Sequence, residues 1–255
     1  MSNKNKPQIA LIYEAYIQEE NKKNVDERYV GNEKFFHASG ANMCMRKHWY
    51  QTHKAPVTNP SSITGNRIMR LGTVVHNDYE NALKWHQNLE KSPNHILDTI
   101  KTISSIRTIR TEGEIQIPEY NVRGFYDAVF EMETGEVYLY DFKTIRSYPY
   151  KLKFGRNPNP GKIKTHEIQL ATYGLAVKEK YGRLDGMFLY YYNKDSSVCK
   201  EFEVSMSYLD QAKDYWERVN EDAVGLTPPP VDNIDSPVQG WECGYCNYEI
   251  HCNDN

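Results

Sequence analysis

Long apolar runs are missing from this chain of 255 residues, and nothing in it approaches the roughly 18 consecutive apolar residues that a membrane span needs, so a globular domain without membrane association is expected. A strong net charge is missing too. Lys and Arg number 31 against 34 Asp and Glu, a balance of −3, so the global field does not advertise a nucleic-acid partner and any such binding must come from local patches. An export signal is not expected, because Met1 to Gln8 is polar and Ile9 to Tyr13 is too short for the apolar core of one. The expectation is a cytoplasmic protein, or one of the host cytoplasm if phage-encoded. Internal repeats and low-complexity segments are also lacking, which leaves one domain over residues 1–255 as the simplest organisation.

Cysteine is scarce, with five in the chain, and a second Cys-x2-Cys pair is not there. What exists is Cys243-x2-Cys246-x5-Cys252 near one end and Cys44 about two hundred residues earlier. In a reducing compartment persistent disulfides are not expected, and a tight cysteine run reads as metal ligands or redox groups. Thiolates select zinc or an iron-sulfur cluster. Structural zinc usually draws on two local pairs, whereas a three-plus-one set suits a cluster held by four cysteines. Zinc stays open at this point. Cys199 sits in an alternating stretch and reads as an ordinary strand residue.

Periodicity supplies the elements. From Asn66 to about Glu90, Ile68, Leu71, Val75, Tyr79, Ala82 and Leu83 recur at helical spacing, with His76 beside a core position. Strands are expected over Glu112–Pro118, Asn121–Met132 and Glu136–Thr144, the last two joined by a tight turn at Thr134-Gly135 and paired antiparallel. A helix follows over Thr165–Tyr181, then strands over Gly186–Tyr192 and Val198–Val204, and a helix over Ser207–Val224. Thr52–Asn66, Tyr148–Gly161 and Leu226–Gly240 read as loops. The order predicts an α/β (α+β) fold, a mixed sheet flanked by helices.

Strand side chains alternate faces, so Asp141 and Lys143 project from one side of a single strand. Hairpin pairing can bring Asp127 beside Asp141, and adjacent carboxylates repel unless a cation neutralises them, which marks a divalent-metal site. Asp-x-Lys alone is weak evidence, since solvated strand faces produce it by chance. Its neighbours strengthen it: Phe125, Val129, Val137 and Leu139 share the faces of Asp127 and Asp141, so the charges end an apolar surface. Gln169 and Tyr173 lie four apart on one helix face. Between Lys143 and His166 there is no acidic residue, while Arg146, Lys151, Lys153, Arg156, Lys162 and Lys164 alternate with Tyr148, Tyr150 and Phe154. That composition suits phosphates and stacked bases, although a solvated basic loop would look the same.

Gly72-x3-His76, Gly124-Phe-Tyr-Asp127, Asp141-Phe-Lys143 and Gln169-x3-Tyr173, framed by Cys44 and Cys243/Cys246/Cys252, together resemble the PD-(D/E)xK nuclease superfamily. Within it the chain is most similar to RecB-like exonucleases with a four-cysteine iron-sulfur cluster, including CRISPR-associated ones, over roughly residues 36 to 252. The resemblance implies a restriction-endonuclease-like core whose terminal segments, about 36–52 and 240–255, are joined by a 4Fe-4S cluster on Cys44, Cys243, Cys246 and Cys252. It implies Mg2+ or Mn2+ bound by His76, Asp127, Asp141 and the Phe142 carbonyl, with Lys143 catalytic and Gln169 and Tyr173 orienting the lysine or the strand. Glu114 is a further acidic candidate. The implied activity is a metal-dependent DNA exonuclease acting at single-stranded or free ends in repair, recombination or CRISPR spacer acquisition, with additional endonuclease activity, protein partners and self-assembly all compatible. Two other readings stay open: a non-cleaving DNA-binding subunit and a zinc-stapled interaction protein.

Overall fold

Alternating apolar residues build the sheet at the centre of the molecule. In the computed structural model, which describes residues 9–28, 35–87, 105–158, 165–231 and 240–253, strands β3 (Val122–Met132) and β4 (Val137–Ile145) form the expected antiparallel hairpin. Strand β2 (Ile106–Ile117) runs antiparallel along β3 and begins six residues before Glu112, because Ile106 to Thr111 already pair with β3. Strand β5 (Gly186–Asn193) lies parallel to β4, β6 (Cys199–Val204) antiparallel to β5, and the two-residue β1 (Phe36–His37) parallel to the start of β3. The result is the mixed sheet anticipated from the element order, with six strands.

Helix α5 (Thr165–Tyr181) packs across β2 to β5, and α6 (Tyr208–Ala223) covers α5 in turn. Sandwiched this way, α5 buries Ile168, Leu170, Ala171, Thr172, Gly174 and Val177. Trp216 of α6 is fully buried and donates its indole N–H to Thr172 Oγ1 at 2.9 Å, so the bulkiest core side chain carries no orphan donor. Helix α2 (Met45–Thr52) docks on α6. The core formed by these elements is continuous from Ala38 to Ala223.

Helix α3 (Ile63–Gln87) lies on the opposite face, against β2 and β4, and α1 (Ile9–Arg28) rests on α3 through buried Ile17 and the Glu14–Arg67 ion pair. The apolar stripe of α3 does not become core: none of its residues is fully buried, and Leu71 is 47% exposed. A second departure is helix α4 (Ser147–Phe154), inside the span read as a loop. Pro149 stands in its first turn, where the missing N–H costs no hydrogen bond. Part of the proline-rich span Leu226–Gly240 lies outside the described residues. The C-terminal helix α7 (Glu249–Asn253) returns to α2. Thr58 and Asn59 donate backbone N–H groups to the Asn247 carbonyl at 2.8 and 3.1 Å, and the Tyr50 and Tyr248 rings stack. Among the described residues no helix is long and apolar enough to cross a membrane.

Candidate active site

Strand β3 changes partners along one edge. Val122 and Arg123 pair with β1, Ala128 to Glu131 pair with β4, and between them Gly124-Phe125-Tyr126-Asp127 have no strand neighbour on that side. The motif read from the sequence therefore marks a fork in the sheet. Gly124 is required there by crowding, since a Cβ would come within 2.9 Å of Ala38 Cβ and 3.0 Å of the Tyr173 ring. At the upper lip of the fork, one position beyond the last β3–β4 pair, stand Asp127 and Asp141.

Asp127 is held in the fork by the backbone: its Oδ2 accepts the Phe142 N–H at 2.5 Å. Alternation along β4 then sends Phe142 toward α3, where its ring meets those of His76 and Tyr79, and Lys143 toward α5. Gly72 of α3 lies against β4, where a Cβ would stand 3.0 Å from Thr144 Oγ1. One helical turn later His76 places Nε2 2.5 Å from the Phe142 carbonyl and Nδ1 3.4 Å from Asp127 Oδ1. With Nε2 donating to that carbonyl, the Nδ1 lone pair faces the carboxylate.

On the α5 side, Lys143 Nζ lies 2.6 Å from Asp141 Oδ2 and donates to Gln169 Oε1 at 3.0 Å, while Gln169 Nε2 donates to the Tyr173 hydroxyl at 2.8 Å. The structure thus brings together His76, Asp127, Asp141, Phe142, Lys143, Gln169 and Tyr173. Burial, and after it the Asp141 charge, pushes the Asp127 carboxyl well above the usual carboxylate range. Burial also holds His76 below its ordinary value, favouring the neutral imidazole that ligates metals.

Glu112, which the sequence reading passed over, joins this group. It faces Asp127 from β2, lying between the Thr111–Ala128 and Gly113–Tyr126 pairs, and takes a left-handed φ of +50°. One oxygen each of Glu112 and Asp127 and a ring nitrogen of His76 lie within 4.8 Å of one another, a set able to hold a cation. Burial and then Glu80 raise the Glu112 carboxyl above its usual range. Glu114, the candidate from the sequence, is exposed and engaged with Gln116. Only strand register distinguishes the two, since both share one parity on β2.

The basic segment divides. Arg146, Lys151 and Arg156 are exposed, as is Tyr148 at 72%. Lys153 is not available to a phosphate: its ammonium is buried, ion-paired with Glu167 and seated 4.3 Å from the Phe202 ring centroid. Phe154 likewise packs on Tyr191 and Phe202. Lys162 and Lys164 lie outside the described residues. Phe125 is 54% exposed beside the fork rather than part of its apolar floor, which Val129, Val137 and Leu139 form.

Cys44 immediately precedes α2, while Cys243, Cys246 and Cys252 come from the C-terminal segment, and all four line one cavity of about 150 Å³. Burial pushes the Cys44 thiol up to about 11. Cys199 is exposed on β6, within 3.4 Å of the Tyr79 hydroxyl. His48, His166 and His251 are engaged locally with Tyr215, Tyr191 and the Pro56 carbonyl.

Comparison with known proteins agrees with this architecture. A solved structure named SSO0001 superposes with a TM-score of 0.57 at 19% identity, covering 96% of this chain and 97% of that one. The alkaline exonuclease LHK-Exo from Laribacter hongkongensis is a looser likeness, with a TM-score of 0.40 at 13% identity over 74% of this chain and 87% of that one. None of the curated proteins compared matches the chain. A family model for the PD-(D/E)XK nuclease superfamily matches residues 72–253, taking in His76, the Asp127/Asp141/Lys143 hairpin, Gln169 and Tyr173. The mixed sheet between helices is the restriction-endonuclease-like core of that family, and the chain belongs to the PD-(D/E)XK nuclease superfamily.

Proposed function

We propose that this protein is a divalent-metal-dependent deoxyribonuclease, an exonuclease that hydrolyses phosphodiester bonds at single-stranded or free DNA ends in repair, recombination or spacer acquisition. The observation that carries the reading is the fork in β3. Two buried carboxylates, a neutral imidazole, a backbone carbonyl and an ammonium are gathered there through a chain of direct contacts. Carboxylate oxygens, a carbonyl and one nitrogen form a ligand set suited to Mg2+ or Mn2+. Asp127, Asp141, His76 and the Phe142 carbonyl would hold the ion, with Glu112 as an additional carboxylate. A bound ion would polarise the phosphate and lower the pKa of water. A cation also relieves the repulsion that raises the Asp127 carboxyl.

The chain's own groups do the rest. Lys143, tethered through Gln169 to Tyr173, holds a donor at the Asp141 side of the site, where it hydrogen-bonds the attacking water and meets charge growing on the phosphate oxygens. Arg146, Lys151 and Arg156 extend positive charge from the end of β4 along α4 and offer a path for the phosphodiester backbone. Exposed Phe125 and Tyr148 offer ring faces on which unpaired bases can stack. End-labelled single- and double-stranded DNA incubated with Mg2+ or Mn2+ tests this. Cleavage progressing from the ends, lost in Lys143→Ala, supports the proposal, and equal cleavage by that variant refutes it.

The four cysteines support a 4Fe-4S cluster as the second metal centre of the same reading. With Zn–S bonds of about 2.3 Å, tetrahedral zinc needs sulfurs roughly 3.8 Å apart. Among the described residues no three of these thiols come within 4.8 Å of one another. A cavity of about 150 Å³ between them is wide for a single ion. Cys44, Cys243, Cys246 and Cys252 would hold the cluster as a clamp across the chain ends, remote from hydrolysis. Iron and sulfide analysis after anaerobic purification separates it from zinc.

A further inference from the structure

Arg46 carries a positive charge into the protein interior without a carboxylate to meet it. The residue is 4% exposed, and among the described residues no Asp or Glu pairs with it. Nη1 donates to the Pro229 carbonyl at 2.5 Å, Nη2 to the Tyr50 hydroxyl at 3.0 Å and Nε to Cys252 Sγ at 3.4 Å. Burying an unpaired ion is expensive, and a guanidinium does not escape the cost by losing its proton. The hydroxyl and the carbonyl satisfy its hydrogen bonds but leave its charge unbalanced. Its remaining partner is a sulfur on the wall of the four-cysteine cavity, and a metal-bound sulfur is an anion.

We propose that Arg46 is the built-in counter-charge of a metal centre on Cys44, Cys243, Cys246 and Cys252, donating directly to the coordinated Cys252 sulfur. The inference rests on the metal-centre reading above and adds a residue that is not itself a ligand. Outer hydrogen bonds of this kind hold ligands in orientation and commonly change metal affinity by about 10- to 100-fold. On a cluster they also raise the reduction potential, since they favour the more negative state. Position suits the role. Arg46 lies two residues after Cys44 on α2, and its partner Tyr50 donates to the His251 carbonyl next to Cys252, so one side chain spans both ends of the clamp.

The test compares wild type, Arg46→Met and Arg46→Lys, each purified anaerobically and examined both loaded and stripped of metal by chelator. The expected result for Arg46→Met is metal release about 10- to 100-fold faster, with thermal stability lowered in the loaded protein and not lowered in the stripped one. Arg46→Lys, which keeps the charge and loses the fork, is expected to fall between. If the centre proves to hold iron, its potential should drop in Arg46→Met. A purely structural arginine would destabilise loaded and stripped protein equally, and that outcome overturns the proposal, as does wild-type release in a folded Arg46→Met. Should Arg46→Met not fold, Arg46→Lys decides by the same loaded-against-stripped comparison. A wild type holding no metal removes the centre itself, whereas metal held equally by wild type and variant removes only the role of Arg46.

Discussion

Replacing Asp127 with Asn should make the metal-free protein more stable and the enzyme inactive. Asp127 is buried, and its carboxyl is raised by desolvation and by Asp141. Two unit charges about 4 Å apart repel by roughly 4 kcal/mol at an effective dielectric near 20, the scale relevant to carboxylates facing each other across the β3–β4 hairpin. Lys143, 2.6 Å from Asp141, and partial protonation offset part of this, which leaves an expected net gain of about 1 to 2 kcal/mol. The amide also fits the site. Its oxygen can keep the Phe142 N–H, and its nitrogen can donate to His76 Nδ1, which now faces the carboxylate at 3.4 Å. No buried polar atom is orphaned by the change. Thermal unfolding in chelator should therefore show the variant about 2 to 4 °C above wild type. Addition of Mn2+ should reverse the order, because ligand binding stabilises only the protein that retains its site. Single-turnover cleavage should fall by about 100-fold or more, since even outer-shell changes cost 10- to 100-fold. A variant that melts lower in chelator, or that cleaves within about threefold of wild type, would refute the account of the fork.

Three other consequences can be checked. Glu112→Gln should weaken Mn2+ binding by about 10- to 100-fold while Glu114→Gln leaves it unchanged, read by metal titration of the melting temperature. Lys153→Met strands the buried Glu167 carboxylate and should cost about 3 to 5 kcal/mol in denaturant unfolding, whereas Lys153→Met with Glu167→Gln should recover most of it; a double variant as unstable as the single would show that the pair contributes more than mutual neutralisation. Burial holds His48 near 4 rather than the usual 6.5. The unfolded chain therefore takes the proton first, and the His48 contribution is complete above pH 6.5 and lost as pH falls toward 4. By pH 4.5 the loss should reach about 2 to 3 kcal/mol, visible as a steeper decline of stability with acid than in His48→Gln.

Each chemical group in the fork was legible as a local pattern. Two-residue alternation put Asp141 and Lys143 on one face, a short turn put Asp127 opposite, and helical spacing paired Gly72 with His76 and Gln169 with Tyr173. Such patterns survive in a sequence because they depend on neighbours within one element or one hairpin. Glu112 was missed for the opposite reason. Glu112 and Glu114 are equivalent in parity, and what favours the first is its place across from Asp127, set by the whole β2–β3 ladder. Lys153 misled in the same way: as composition it belongs to a basic run, but in the fold its ammonium turns inward to Glu167 and the Phe202 ring.

The sequence by itself determined the chain order of the five longer strands and of the helices α3, α5 and α6, together with the family, since these follow from residue identity and short-range periodicity. Tertiary structure alone decided that β3 forks between β1 and β4, that Glu112 and not Glu114 lies beside Asp127 and His76, and that Cys44 and Cys252 line one cavity while a buried arginine bonds the Cys252 sulfur. Those facts rest on contacts between residues up to about two hundred positions apart. Whether such distant groups meet is decided by the core that packs between them, not by any spacing along the chain.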